Sequence, residues 1–192
     1  MPTSNEVSRL QPALLLDRDG VLIENRPDYV RSWQDLVPLP GALDSLARLS
    51  ALPLRIVIVT NQSAVGRGLL PLATAHEINR RLVDQVVAAG GRIDGVYLCP
   101  HLPGSGCACR KPAPGLILQA ATELHLDLPS SVLIGDAVTD IQAGQAAGVG
   151  RLALVRTGLG SLVDAGSHPL GLLQVPVFRD LAEALSTLFP AA

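Results

Sequence analysis

Five short apolar runs recur along the chain, each separated from the next by residues with helical periodicity. Leu14–Asp17, Leu54–Thr60, Val96–Cys99, Val132–Asp136 and Leu152–Arg156 read as strands. Gly41–Ser50, Leu72–Ala89, Gly115–Leu124 and Thr139–Ala147 carry apolar residues at the spacing of amphipathic helices, and Leu181–Leu188 adds a last one. Strands this short and this continuously apolar are buried on both faces. Their alternation with helices dictates a mainly parallel sheet with helices on each side. The expected fold is one three-layer α/β domain over residues 13–192, with residues 1–12 as a disordered lead-in. The Gly- and Pro-rich stretch 157–179 reads as loop, with one edge strand near Val175–Phe178.

Composition sets limits on function. Apolar residues make up 48% of the 192, enough for a sizeable core. No apolar run approaches the ~20 residues that span a bilayer, and the first twelve residues lack the apolar segment of a secretory leader. The three cysteines are clustered and odd in number, which suits a reducing compartment and a metal or redox role. A cytoplasmic protein without membrane attachment is the expectation. The net charge is −2 and no Lys/Arg run occurs, so a nucleic-acid partner is not expected. An anionic substrate has to be met by a few placed cations.

In a parallel α/β sheet, ligands bind beyond the carboxyl ends of the strands. Four polar clusters follow four of the predicted strands: Asp17–Asp19, Thr60–Asn61, Cys99–His101 and Asp136. Asp17 and Asp19 stand at i and i+2, so both carboxylates point the same way. They suit Mg²⁺, or a nucleophile beside a general acid, or a plain turn at Gly20. Thr60, Asn61, Gln62 and Ser63 offer hydroxyl, amide and N–H groups for phosphate oxygens, or an ordinary strand exit. Arg110 and Lys111 are two adjacent charges that suit an oxyanion or a solvated surface. Asp136 is placed as a metal ligand, and Asp140 either orients it or is a helix first-turn acid.

Cys99, His101, Cys107 and Cys109 lie within eleven residues. A Cys₃His set suits a closed, structural Zn²⁺ site that staples a loop. A redox pair and unrelated buried thiols are the alternatives. Tyr29 and Trp33 read as loop packing before substrate contact. His76, His125 and His168 read as surface or structural residues.

Taken together, Asp17-Arg18-Asp19-Gly20-Val21, Thr60, Lys111 and Gly135-Asp136 followed by Asp140 resemble, in order, the four motifs of the haloacid dehalogenase superfamily of phosphatases. The resemblance spans about residues 13–155. It implies a Rossmann-like domain, here with no large cap domain, because only about twenty residues separate the first motif from the helix at Gly41. It implies that Asp17 forms an aspartyl-phosphate and Asp19 serves as acid and then base. Mg²⁺ would sit on the Asp17 and Asp136 side chains and the Asp19 carbonyl, with Thr60 and Lys111 on the phosphoryl group. Arg110, Asn61, Gln62 and Ser63 are the substrate-binding candidates. The Cys-x-His…Cys-x-Cys-Arg-Lys-Pro loop is similar to the group that holds heptose 1,7-bisphosphate and histidinol-phosphate phosphatases. Asp28-Tyr29-Val30 and Thr60-Asn-Gln-Ser63 look like the heptose branch, whereas the short zinc loop suits both. Ala137 departs from a substrate-touching Lys found in some heptose enzymes. The expected partner is a small phosphorylated sugar, met by a monomer, with histidinol phosphate the alternative and a non-catalytic zinc-stapled module a third reading.

Overall fold

The computed structural model describes residues 10–162 and 174–190. Six strands, β1 (Ala13–Leu16), β2 (Arg55–Asn61), β3 (Gly95–Cys99), β4 (Val132–Gly135), β5 (Arg151–Val155) and β6 (Val177–Phe178), form one sheet in the order β3-β2-β1-β4-β5-β6. Every pairing is parallel; Leu14 of β1 stands opposite Ile56 on one side and Val132 on the other. The predicted strands are all present, shifted by a residue or so at their ends, and the edge strand is the two-residue β6.

The helices are α1 (Ala42–Leu49), α2 (Ser63–Gly66), α3 (Leu72–Ala88), α4 (Gly115–Leu124), α5 (Val138–Ala147) and α6 (Leu181–Leu188). The pleat of β1 divides the core: Leu14 and Leu16 face one layer, Ala13 and Leu15 the other. The first layer is supplied by Leu46 and Leu49 of α1, Ile78 and Leu82 of α3, and Leu181 and Leu185 of α6. The second comes from Leu116, Ile117 and Ala120 of α4 with Ile141 and Ala143 of α5. This is the three-layer arrangement expected from the alternation. Asp180 starts α6 by accepting the Glu183 N–H at 2.9 Å, a conventional N-cap.

Three features differ from the sequence reading. Gln11 is bridged in parallel to Leu126, so regular backbone pairing begins inside the expected lead-in; residues 1–9 lie outside the described residues. The expected loop after β5 contains a 3-10 turn, Gly158–Leu162, while residues 163–173, His168 among them, lie outside the described residues. Short helix α2 also escaped prediction, because four residues are too few to show a period.

The chain runs β1, β2, β3 toward one edge and then returns to place β4 on the other side of β1. That reversal opens a crevice at the carboxyl end of β1, the usual ligand position in such sheets. No described helix is long and apolar enough to cross a membrane.

Candidate active site

A cavity of about 380 Å³ lies at this reversal. Asp17 and Asp19 reach it from β1, Asn61 and Gln62 from β2, Asp136 and Asp140 from β4 and the start of α5, and Arg110 and Lys111 from the loop after β3. The loop after β1 closes one wall with Arg26 and Tyr29. Tyr29 has φ of 64°, a backbone region that side chains larger than glycine rarely adopt.

The cavity floor is a charge cluster. The buried Lys111 Nζ donates to Asp17 Oδ1 at 2.6 Å and to the Val59 carbonyl at 2.7 Å, and pairs with Asp140 Oδ1 at 2.6 Å. Those contacts use all three ammonium protons. Burial alone would lower the Lys111 pKa, but Asp140 and Asp17 hold it above its ordinary value. Asp17 is pushed up to about 8, first by burial and then by Asp140, Asp136 and Asp19, with Lys111 opposing. Asp136 is pushed up to about 7 by burial foremost and by Asp140 and Asp19, while the Leu159 N–H and Lys111 pull it down.

On the floor one lysine therefore faces three crowded carboxylates, Asp17, Asp136 and Asp140, and this cluster is locally short of positive charge, with Arg18, Arg26 and Arg110 elsewhere in the cavity lining. Carboxylate oxygens of Asp17, Asp136 and Asp140 lie within 4.8 Å of one another. An all-oxygen donor set with excess negative charge fits Mg²⁺. Asp140 has both oxygens engaged, one by Lys111 and the other by the Ala137 N–H at 3.0 Å. Asp17 and Asp136 each have an oxygen beyond those bonded to Lys111 and to the Leu159 N–H (2.7 Å). Asp140 is thus the first-turn acid of α5, one of the two alternatives its sequence position left open, and it partners Lys111 besides.

Two glycines make room for this floor. Gly20, at φ 80°, and Gly158, at φ 61°, both approach the Asp136 carboxylate so closely that a Cβ at either would collide with it. Thr157 Oγ1 donates to the Gly20 carbonyl at 2.5 Å, tying the end of β5 to the turn after β1. Thr157, Gly158 and Leu159 were missed in the sequence reading. The signal was available: they follow the fifth apolar run as the other clusters follow theirs.

Asp19 is gripped on both oxygens. Arg18 donates through Nη2 to Oδ1 at 3.0 Å and through Nε to Oδ2 at 3.2 Å, and Gln62 Nε2 donates to Oδ2 at 2.9 Å. Thr60 is fully buried; its hydroxyl accepts from Gln62 at 2.8 Å, lies 3.5 Å from Asp19 Oδ2 and does not line the cavity. Asn61 lines it, yet its amide exchanges two 3.1 Å hydrogen bonds with the Lys111 backbone and so anchors the lysine segment to β2. Ser63 is buried at the start of α2, off the cavity lining. Arg110 lines the cavity and donates to the His101 carbonyl at 3.1 Å. Trp33 lies away from it, half exposed, with the Arg81 guanidinium stacked 5.6 Å from its ring centre.

The four zinc-ligand candidates converge. Cys109 Sγ lies 3.2 Å from Cys99 Sγ, 3.5 Å from Cys107 Sγ and 3.2 Å from His101 Nδ1; Cys99 lies 3.7 Å from Cys107 and 3.5 Å from His101. A tetrahedron with metal–sulfur bonds of ~2.3 Å has edges of ~3.7 Å. The cluster fits Zn²⁺ in donor type and nearly in span, and its cysteines are free thiols. Burial and the neighbouring thiols push Cys109 up to about 12, whereas a Ser105 hydrogen bond brings Cys107 down to about 6. A cation would relieve this crowding of sulfur.

A three-layer fold with paired aspartates, a buried lysine and a third aspartate gathered at the carboxyl ends of neighbouring strands defines a haloacid dehalogenase-like hydrolase. The family described as HAD-hydrolase-like matches residues 108–184. The chain is 35% identical over 175 residues to the D-glycero-beta-D-manno-heptose-1,7-bisphosphate 7-phosphatase of Pseudomonas aeruginosa, covering 91% of this chain and 96% of that protein. With the enzyme of the same name from Bordetella bronchiseptica it shares 37% over 180 residues, 93% of this chain and 98% of that one. The crystal structure of the D,D-heptose 1,7-bisphosphate phosphatase of B. bronchiseptica complexed with magnesium and phosphate superposes with a TM-score of 0.86 at 36% identity, covering 94% of this chain and 99% of that one. The chain belongs to this family of heptose bisphosphate phosphatases.

Proposed function

We propose that the protein hydrolyses the 7-phosphate of D-glycero-D-manno-heptose 1,7-bisphosphate through an aspartyl-phosphate on Asp17. The observation that carries this reading is the convergence of Asp17, Asp19, Lys111 and Asp136 on one cavity in a chain that matches heptose bisphosphate phosphatases along nearly its whole length. Asp17 attacks phosphorus as the ester P–O bond breaks, and Asp19 gives a proton to the departing sugar oxygen. Asp19 then takes a proton from water as that water attacks the acyl phosphate, which releases phosphate and frees Asp17. Lys111 screens the approach of Asp17 to an anionic ester.

The side chains of Asp17 and Asp136, with the backbone carbonyl of Asp19, are the proposed holders of Mg²⁺. When bound, that ion neutralises phosphate charge that would otherwise repel a carboxylate nucleophile. Thr60 serves this centre through Asp19 and Gln62, in keeping with its hydrogen bonds. Arg110 and Arg26, both on the cavity wall, favour a substrate with a second phosphate. Asn61, Gln62 and Ser63 support the phosphate end mainly by fixing Lys111 and Asp19. Cys99, His101, Cys107 and Cys109 hold a structural Zn²⁺. The protein is read as a cytoplasmic monomer acting on a small sugar phosphate; a net charge of −2 without a basic run argues against a nucleic-acid substrate.

The test is phosphate release with Mg²⁺ from both anomers of heptose 1,7-bisphosphate, from histidinol phosphate and from a 3′-phosphorylated oligonucleotide. Preferential turnover of the heptose ester is expected. Preference for histidinol phosphate would overturn the substrate, and no release from any of them would overturn the enzymatic reading.

A further inference from the structure

Arg18 carries a full positive charge into the core, with 1% of its surface exposed, and the reaction above gives it no task. All three guanidinium nitrogens are used. Beyond its two bonds to Asp19, Nη1 donates to Asn79 Oδ1 at 2.8 Å and Nη2 to Gln62 Oε1 at 2.9 Å. Gln62 is itself fixed, because its backbone N–H donates to the Cys99 carbonyl at 2.7 Å at the end of β3. Asn79 comes from α3, far along the chain. The brace therefore links the end of β1, the end of β2 and the middle of α3 to a single carboxylate.

Asn79 is buried, and with Oδ1 turned to Arg18 its Nδ2 has no hydrogen-bond partner among the described residues. An unmade buried donor is a stability cost, and buried ion pairs are commonly no more stable than apolar packing of the same volume. A core built only to pack would place apolar side chains at 18 and 79. What the polar pair provides is orientation: a planar fork held at its rear by Asn79 fixes the plane of the carboxylate at its front.

The geometry points to Arg18, backed by Asn79, as a positioning residue that holds Asp19 for proton transfer. The inference rests on the reading of Asp19 as acid and base. Asp19 Oδ2 accepts from Arg18 and Gln62, with Thr60 at the edge of reach, whereas Oδ1 accepts one hydrogen bond, from Arg18. Oδ1 thus keeps a lone pair to carry the proton that goes to the sugar oxygen and, in the second step, the proton taken from water. Without the brace the carboxylate rotates about its side-chain bonds and meets the ester oxygen less often in line.

The measurement is kcat/KM on two esters with Mg²⁺: heptose 1,7-bisphosphate, whose alkoxide needs a proton to leave, and p-nitrophenyl phosphate, whose phenolate does not. Asn79→Ala, which leaves Arg18 and every cavity residue in place, should lose about tenfold on the sugar ester and under about threefold on the aryl ester. Asn79→Asp, which keeps an acceptor for Nη1, should restore most of the loss. Arg18→Met should show the same split more strongly, provided it folds; if it does not, the Asn79 pair decides. Asp19→Asn is the control. If it shows the split and the Asn79 variants lose equally on both esters, or not at all, the positioning role of Arg18 is overturned. If Asp19→Asn itself loses equally on both, the proton-transfer reading of Asp19 fails first.

Discussion

Lys111 Nζ lies 2.6 Å from Asp17 Oδ1, and both groups are buried beside Asp140. This pair predicts opposite stability effects for its two members. Asp17→Asn removes one charge from a crowded set of carboxylates, so the metal-free protein should melt at the same or a higher temperature while turnover is abolished. Lys111→Met leaves Asp17 and Asp140 buried without their cation, a loss of about 3–5 kcal/mol. Thermal melts without Mg²⁺, paired with phosphate release, check both signs. Retained activity in Asp17→Asn would remove it as the nucleophile.

The same cluster sets a pH dependence for the metal-free protein. Asp17 and Asp136 rise from 3.8 to about 8 and about 7. A carboxylate whose folded pKa is raised favours the fold fully below the unfolded value, and that contribution is lost as pH climbs through the folded value. Stability without metal should therefore fall between about pH 4 and pH 8. Added Mg²⁺ should reverse the fall, because it binds the ionised forms, and binding near pH 7 should release protons. Calorimetry in buffers of different ionisation enthalpy reads that release; a Mg²⁺ affinity flat from pH 6 to 8 would contradict it.

Gly20 and Gly158 are predicted to be intolerant of even a methyl group. Gly20→Ala adds an atom into the Asp136 carboxylate and places a side chain at φ 80°, a backbone penalty of about 1–2 kcal/mol before any collision. Both Gly20→Ala and Gly158→Ala should weaken Mg²⁺ affinity more than they lower the melting temperature, since the carboxylate displaced belongs to a proposed ligand, Asp136. Metal titrations of activity beside melts separate the two effects.

The fold was largely legible because its signal is local. Most strands are short, largely apolar runs, and helices α1, α3, α4 and α6 repeat an apolar face within their own length. The residues of the site were legible for a related reason: polar side chains directly after apolar runs must gather at one sheet edge. What the chain hid was partnership across distance. Nothing near Arg18 in sequence announces that it meets Asn79, sixty-one residues on, or that the Thr60 hydroxyl turns toward Asp19 and Gln62 and away from the cavity. Leu159 was hidden for another reason, since it contributes a backbone N–H that any residue but proline could supply.

The zinc loop is predicted to matter for chemistry through one covalent fact: Cys109, Arg110 and Lys111 are consecutive. The loop folds back on itself where the Gly115 N–H donates to the Ala108 carbonyl at 3.0 Å, and Asn61 grips the Lys111 backbone from the other side. Lys111 is thus held between β2 and the sulfur cluster. Metal analysis should find about one zinc per chain. Cys109→Ser, or removal of zinc by a chelator with excess Mg²⁺ restored afterwards, should loosen Lys111 and lower kcat by about tenfold or more. The α/β core, whose two apolar layers draw mainly on residues outside this loop, should keep its helical circular dichroism. Global unfolding on zinc loss would show instead that the metal supplies folding free energy to the whole domain. Unchanged kcat would show that Asn61 alone suffices to hold the lysine.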